Sequence, residues 1–231
     1  MSQYRDKILL IDVGNSFIKW SFCGQNKSIS ISKFSIDMLP QTNNVWVSCV
    51  AHCDLLSELD SANFVTTDYK FRSFKCGYKK PSDLGVDRFL AMIAAIELYK
   101  NQNLLVVDVG SAVTFDVVLS SGKHDGGLIM PGLTAIRSSF DKFSTDNDSI
   151  QNHNLASNTV DAWLSGTSMM LLNAIKLQID NYNDKYEGLV ILLTGGDGKK
   201  VLPYLDVSIE LHNNLVLDGL CIYAESIINR S

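Results

Sequence analysis

Two apolar runs in this chain end the same way. Leu9–Trp20 reads LLIDVGNSFIKW, and Leu105–Val118 reads LVVDVGSAVTFDVV. Each is a short buried-strand pattern stopped by Asp-Val-Gly and a small polar residue, after which apolar residues resume. One such turn reads equally well as a plain hairpin, since Asp-Gly turns are common. Two copies in matching places make an internal repeat, and a repeat constrains the whole fold.

The segments around the two copies share an order. Residues 7–13 read as a strand, 16–23 as its hairpin partner and 27–34 as a third strand. A strand at 45–50, a helical patch at 54–59 and a strand at 64–67 follow. Residues 84–100 carry a clear helical period, with Leu90, Ile93, Ala94 and Leu98 on one face. The pattern then restarts with strands at 104–109, 113–119 and 124–130, the last reached across the SSGK turn. Pro131 sits where the first turn of a helix tolerates proline. A polar excursion covers 141–158, and Asn158 or Thr159 caps a long helix over 160–182. LVILLTGG is a buried strand ending in glycines, and a last helix spans 214–229.

Strand, strand, strand, helix, strand, helix, stated twice, fits two ribonuclease-H-like α/β domains with a cleft between them. This is the actin-like ATPase architecture. The boundary falls near residue 103, giving domains 1–103 and 104–231. A single doubly wound sheet competes, but it does not predict a hairpin after each Asp-Val-Gly.

Composition narrows the function classes. The 231 residues are 46% hydrophobic and 19% charged, as expected of a packed globule. A net charge of -5 leaves no electrostatic footprint for nucleic acid. No segment approaches the roughly 18 apolar residues of a membrane span, and the N-terminus has no signal-peptide pattern. The five cysteines, Cys23, Cys49, Cys53, Cys76 and Cys221, are odd in number and scattered. That argues for reduced thiols in a cytoplasmic protein. Cys49, His52 and Cys53 lie close together, but no second cluster completes a four-ligand metal site.

A carboxylate at the end of a buried strand projects beyond the sheet, and a glycine turn lets a ligand approach the backbone. Amide groups at such turns cradle phosphate. On a strand beginning near Asn15, residues 15, 17 and 19 share a face, so Lys19 can return toward the turn. Turns of this kind on two facing domains are what a nucleotide cleft needs, and the glycines of LLTGG at 192–196 could approach the base or ribose.

At this point the chain resembles the type III pantothenate kinases, members of the actin-like sugar and acetate kinase superfamily. DVGNS at 12–16 is similar to the family's first phosphate turn, with KW at 19–20 in the form many members show. YKKPSDLGVDR at 78–88 resembles its tyrosine, proline and Gly-x-Asp-Arg signature. DVGSAVTFD at 108–116, GGLIMPGL at 126–133 and NTVDAWLSG at 158–166 follow in the family's order. Ser111 stands where the family usually has threonine, and it keeps the hydroxyl.

The resemblance implies ATP-dependent phosphorylation of pantothenate, the first step toward coenzyme A, in a homodimer with substrate near the interface. It makes Asp87 the proton acceptor, and Tyr78, Gly85, Val86, Arg88 and Thr159 substrate contacts. It assigns ATP to Asp12, Val13, Gly14, Asn15, Ser16, Phe17, Ile18, Lys19 and Ser111. Asp12 would orient Mg²⁺ through water, and Asp108 would hold a monovalent cation, K⁺ or NH₄⁺. Read without the resemblance, Asp87 is a helix-start carboxylate with Arg88 its surface partner, Tyr78 a packing tyrosine and Thr159 a cap. His52, His124, His153 and His212 take no part in this chemistry and read as surface or packing residues. Two other functions remain open: a nucleotide-binding accessory protein without catalysis, and a kinase of the same fold for another small hydroxyl substrate.

Overall fold

A computed structural model describes residues 8–59, 61–151 and 155–229. Contacts divide the chain into two compact units, Met1–Leu98 with Asn214–Ser231, and Tyr99–Asn213. The closing segment therefore packs with the first unit, although it follows the second in sequence.

The first unit is built on β1 (Leu9–Val13), β2 (Phe17–Phe22), β3 (Gln25–Ser30), β4 (Val45–Cys49) and β5 (Ala62–Phe64), in the order β3-β2-β1-β4-β5. β1 is antiparallel to β2 and parallel to β4, and all five of its residues are buried. A strand covered on both faces reads as a near-continuous apolar run, which is why LLIDV shows no apolar–polar alternation before Asp12. Cys23 and Gly24 both have positive φ, +49° and +74°, so β2 turns into β3 through a two-residue loop suited to the strands' twist.

Leu9, Ile11 and Val13 face a core with Ile18, Trp20, Val45, Val47 and Leu39. Alternation puts Leu10 and Asp12 on the opposite face. A short hairpin of β6 (Lys70–Phe71) and β7 (Phe74–Lys75) precedes α1 (Val86–Leu98). α1 packs on α5 (Leu215–Ile228) so closely that a side chain at Gly219 would collide with the Leu90 carbonyl.

The second unit repeats the plan with β8 (Asn103–Val109), β9 (Ala112–Val118), β10 (His124–Pro131), β11 (Leu189–Thr194) and β12 (Glu210–Leu211). Its order, β10-β9-β8-β11-β12, matches the first sheet strand for strand, with β8 in the place of β1. α2 (Leu133–Ser138), α3 (Thr159–Lys185) and α4 (Gly198–Val201) complete it. Leu105, Val107 and Val109 pack beneath Leu171, Leu172, Ile175 and Ile179 of α3.

Several expectations change in detail. Pro131 is the last residue of β10 rather than the first of a helix, and Gly132 takes the N-cap place before α2. The third strand ends at Ser30, after which residues 31–33 form a single 3₁₀ turn. The strand expected at 64–67 lies at Ala62–Phe64. Cys49 and Cys53 are joined as a disulfide, so the expectation of reduced thiols fails for this pair. His52 adopts a left-handed conformation that folds the chain back and brings the two α-carbons to 6.0 Å, within disulfide reach. No helix among the described residues is long and apolar enough to cross a membrane.

Candidate active site

In the first unit Asp12 lies near the end of the central strand, paired with Lys19 on β2 and Ser48 on β4. Direct partners in a sheet project from the same face. The Ser48 hydroxyl donates to Asp12 Oδ1 at 3.0 Å in a buried setting. The turn itself is tight, with the Gly14 amide bonded to the Phe17 carbonyl at 3.0 Å. Asn15, Ser16 and Phe17 are exposed at its tip, and Lys19 is half-buried. Val13 and Ile18 are fully buried core residues, which leaves them only backbone groups to offer a ligand.

The second cluster of this unit sits at the start of α1. Asp87 occupies the first helical turn, and its Oδ1 accepts the Arg88 amide at 2.8 Å. The helix dipole favours a negative charge at this end. Arg88 is buried and donates from Nη1 to the Tyr78 hydroxyl at 3.2 Å. Its guanidinium carbon lies 5.7 Å from the Tyr78 ring centre. Val86 is buried beside it. Gly85 is constrained by space, because a Cβ there would lie 2.5 Å from Asp87 Oδ1. Tyr78, Gly85, Val86, Asp87 and Arg88 thus form one group, with Arg88 a buried, tyrosine-bonded cation rather than a surface partner of Asp87.

In the second unit Asp108 holds the place of Asp12, paired with Thr114 and Thr194 where the first unit has Lys19 and Ser48. Three turns close around it. The Gly132 amide donates to the Ser111 carbonyl at 3.0 Å, and the Asp197 amide donates to the Val109 carbonyl at 2.9 Å. Gly195 has φ +94°, and any side chain there would strike the Val109 carbonyl and Asp108 Oδ1. LLTGG therefore ends against the Asp108 turn. Thr159 is the exposed first residue of α3, and the cap is Asn158, whose side-chain oxygen accepts the Asp161 amide at 2.9 Å.

Some functional candidates had no signal in the sequence. Ser48 sits in a plain apolar strand, and only the sheet register puts it on Asp12. His124 is fully buried, with Nε2 3.0 Å from Asp116 Oδ1, so it is half of a buried polar pair. His212 Nε2 lies 3.1 Å from the Tyr99 hydroxyl, His52 is exposed, and His153 lies outside the described residues.

Two matched ribonuclease-H-like units, each with a carboxylate near the end of its central strand before a glycine turn, define the fold class: that of the actin-like ATPases. MreB5 of Spiroplasma citri, solved bound to ADP, has this fold, with a TM-score of 0.52 at 12% identity over 96% of this chain and 97% of that one. A Campylobacter jejuni chain assigned to the Baf family of transcriptional activators matches with a TM-score of 0.66 at 24% identity, over 96% of this chain and 99% of that one.

A sequence model of the type III pantothenate kinases matches residues 54–181. The type III pantothenate kinase of Pseudoalteromonas translucida is 30% identical over 92% of this chain and 94% of its own length. The chain belongs to the type III pantothenate kinase family.

Proposed function

We propose that this protein transfers the γ-phosphoryl group of ATP to the primary hydroxyl of pantothenate, giving 4′-phosphopantothenate and ADP at the start of coenzyme A synthesis. The observation that carries this reading is the Gly85–Arg88 group at the start of α1, with Tyr78 bonded to Arg88, inside the region matched by the family.

Phosphoryl transfer needs positioning, charge neutralisation and a proton acceptor. Asp87 takes the hydroxyl proton as the substrate oxygen attacks phosphorus. Arg88 grips the substrate carboxylate, which a guanidinium suits through paired N–H donors. Tyr78 and the Gly85–Val86 backbone line its path, and Thr159 adds a hydroxyl contact. The Asp12–Lys19 turn and Ser111 hold the phosphates, with Lys19 countering their charge. The protein is a cytoplasmic homodimer. Exposed Met169, Met170 and Leu177 lie on one side of α3 and give it an apolar face suited to self-association.

No group of three or more His, Cys, Asp or Glu side chains among the described residues could form a metal cage. A single strand-end carboxylate such as Asp12, already accepting the Ser48 hydroxyl, suits Mg²⁺ held mainly by phosphate and water. That ion would neutralise phosphate charge during transfer. Asp108 offers a hard oxygen donor for a monovalent cation.

The test is turnover of pantothenate with ATP and Mg²⁺, with and without K⁺, followed by mass detection of the phosphorylated product. Product that accumulates faster with K⁺ is the expected result. A folded protein that makes none overturns the reading.

A further inference from the structure

Arg137 lies in the last turn of α2 and is the largest fully buried side chain among the described residues. Its guanidinium donates to the carbonyls of Asn147, Ser149 and Leu164 and to the hydroxyls of Thr167 and Ser168, and four of these bonds measure 3.0 Å. None of its acceptors is charged. Burial pushes the guanidinium pKa down, and Asp148 opposes that shift.

Burying a cation among neutral acceptors is expensive, and an apolar side chain of similar size would pack the same space at lower cost. A planar fork of donors can do what an apolar side chain cannot, which is to fix carbonyls from separate segments in one register. Here those segments are the polar excursion at 147–149 and the early turns of α3. Ser168 extends the arrangement by accepting the Gln151 amide at 3.0 Å and donating to the Leu164 carbonyl at 2.8 Å.

Two routes lead from this hub to the strand end that carries Asp108. Along the first, α2 begins at Gly132, whose amide bonds the Ser111 carbonyl. Along the second, Lys200 Nζ bonds Asp148 at 2.6 Å and Asp197 at 2.8 Å, and the Asp197 amide bonds the Val109 carbonyl. Both routes converge on the excursion and on α3, whose first residue is Thr159.

We infer that Arg137 is a positioning residue: it fixes the early turns of α3, and with them Thr159, against the Asp108–Ser111 turn, and so sets affinity for the phosphoryl acceptor. This rests on the assignment of Thr159 to the substrate made above.

The experiment compares wild type with Arg137→Met in steady-state kinetics, varying pantothenate and ATP separately, alongside hydrogen–deuterium exchange of residues 159–168. Expected is a KM for pantothenate raised at least tenfold, a KM for ATP within twofold of wild type, and faster exchange at the start of α3. Arg137→Lys, which keeps the charge but fewer donors, falls between the two. A purely structural role would lower the active fraction, and hence apparent kcat, with both KM values unchanged, and that result overturns the proposal. If Arg137→Met does not fold, Ser168→Ala and Lys200→Met loosen the same hub from its edges. Each then raises the pantothenate KM about threefold, and an unchanged value overturns the proposal. If wild type does not phosphorylate pantothenate, the proposed function fails separately. Exchange then decides alone, with unaltered protection at 159–168 counting against Arg137.

Discussion

Lys19 stands directly opposite Asp12 in the β1–β2 ladder. Direct cross-strand partners hold their Cβ atoms roughly 4.5–5.5 Å apart on one face, so the ammonium and the carboxylate serve the same patch beside the Gly14 turn. In the second unit the corresponding place holds Thr114, opposite Asp108. The two copies of Asp-Val-Gly are therefore alike in backbone and different in charge. The first pairs its aspartate with a cation, and the second pairs it with a hydroxyl.

From that difference, Lys19→Met acts on ATP. A hydrogen bond to a charged group contributes about 1.5–3 kcal/mol, so KM for ATP rises roughly ten- to a hundredfold, while KM for pantothenate stays near wild type. Titrating each substrate in turn checks this. Equal losses for both substrates would mean that Lys19 supports the fold rather than the nucleotide.

Asp87 and Gly85 form a second linked pair, because the glycine makes room for the carboxylate. Asp87→Asn keeps the shape but removes the proposed proton acceptor, so kcat falls by roughly 10²–10⁴ with the protein still folded. Gly85→Ala leaves Asp87 in the sequence but places a methyl 2.5 Å from its Oδ1, so the carboxylate must shift. Its kcat falls as well, though the carboxylate is still present. Pre-steady-state measurement of the phosphoryl-transfer step separates the two variants from changes in product release. Near-normal transfer in Asp87→Asn would remove that residue from the proton-acceptor role.

Much of this arrangement could be read from the chain before its structure. Leu9–Val13 and Asn103–Val109 are largely buried strands, so each shows a short apolar run, Leu9–Ile11 and Leu104–Val107, broken by an aspartate just before the backbone turns. The helix over Val86–Leu98 buries a broad face and shows its period openly. Other parts depended on partners distant in sequence. Ser48 meets Asp12 across 36 residues, and Arg137 meets Leu164 and Ser168 across 27 and 31. No local pattern records contacts of that span. α2 has only six residues, and Pro131, whose sequence context suits a helix start, extends β10 instead. β12 and the β6–β7 hairpin use strands of two residues, too short for any periodicity and defined only by their neighbours. The place of α5 with the first unit comes from Gly219 letting it close on Leu90, which sequence order does not reveal.

The Cys49–Cys53 disulfide was also unforeseen, and it yields the last prediction. It closes a small loop with a sequence separation of 4, immediately after β4. In the chain-entropy view a loop this short stabilises the fold by only about 2 kcal/mol. For a chain of this length that corresponds to roughly 4–8 °C in Tm. Opening the bridge, by reductant or by Cys49→Ser with Cys53→Ser, lowers Tm by that amount and leaves the fold intact. The effect should also reach the turn after Asp12, proposed to hold ATP, because the Val50 amide bonds the Val13 carbonyl at 3.2 Å and Cys49 pairs with Val13 in the sheet. KM for ATP therefore rises a few-fold in the reduced or doubly substituted protein. Thiol counting by mass after alkylation fixes the oxidation state in each sample. Identical melting curves and identical ATP kinetics in the bridged and open forms would show that the loop contributes nothing to the Asp12–Gly14 turn.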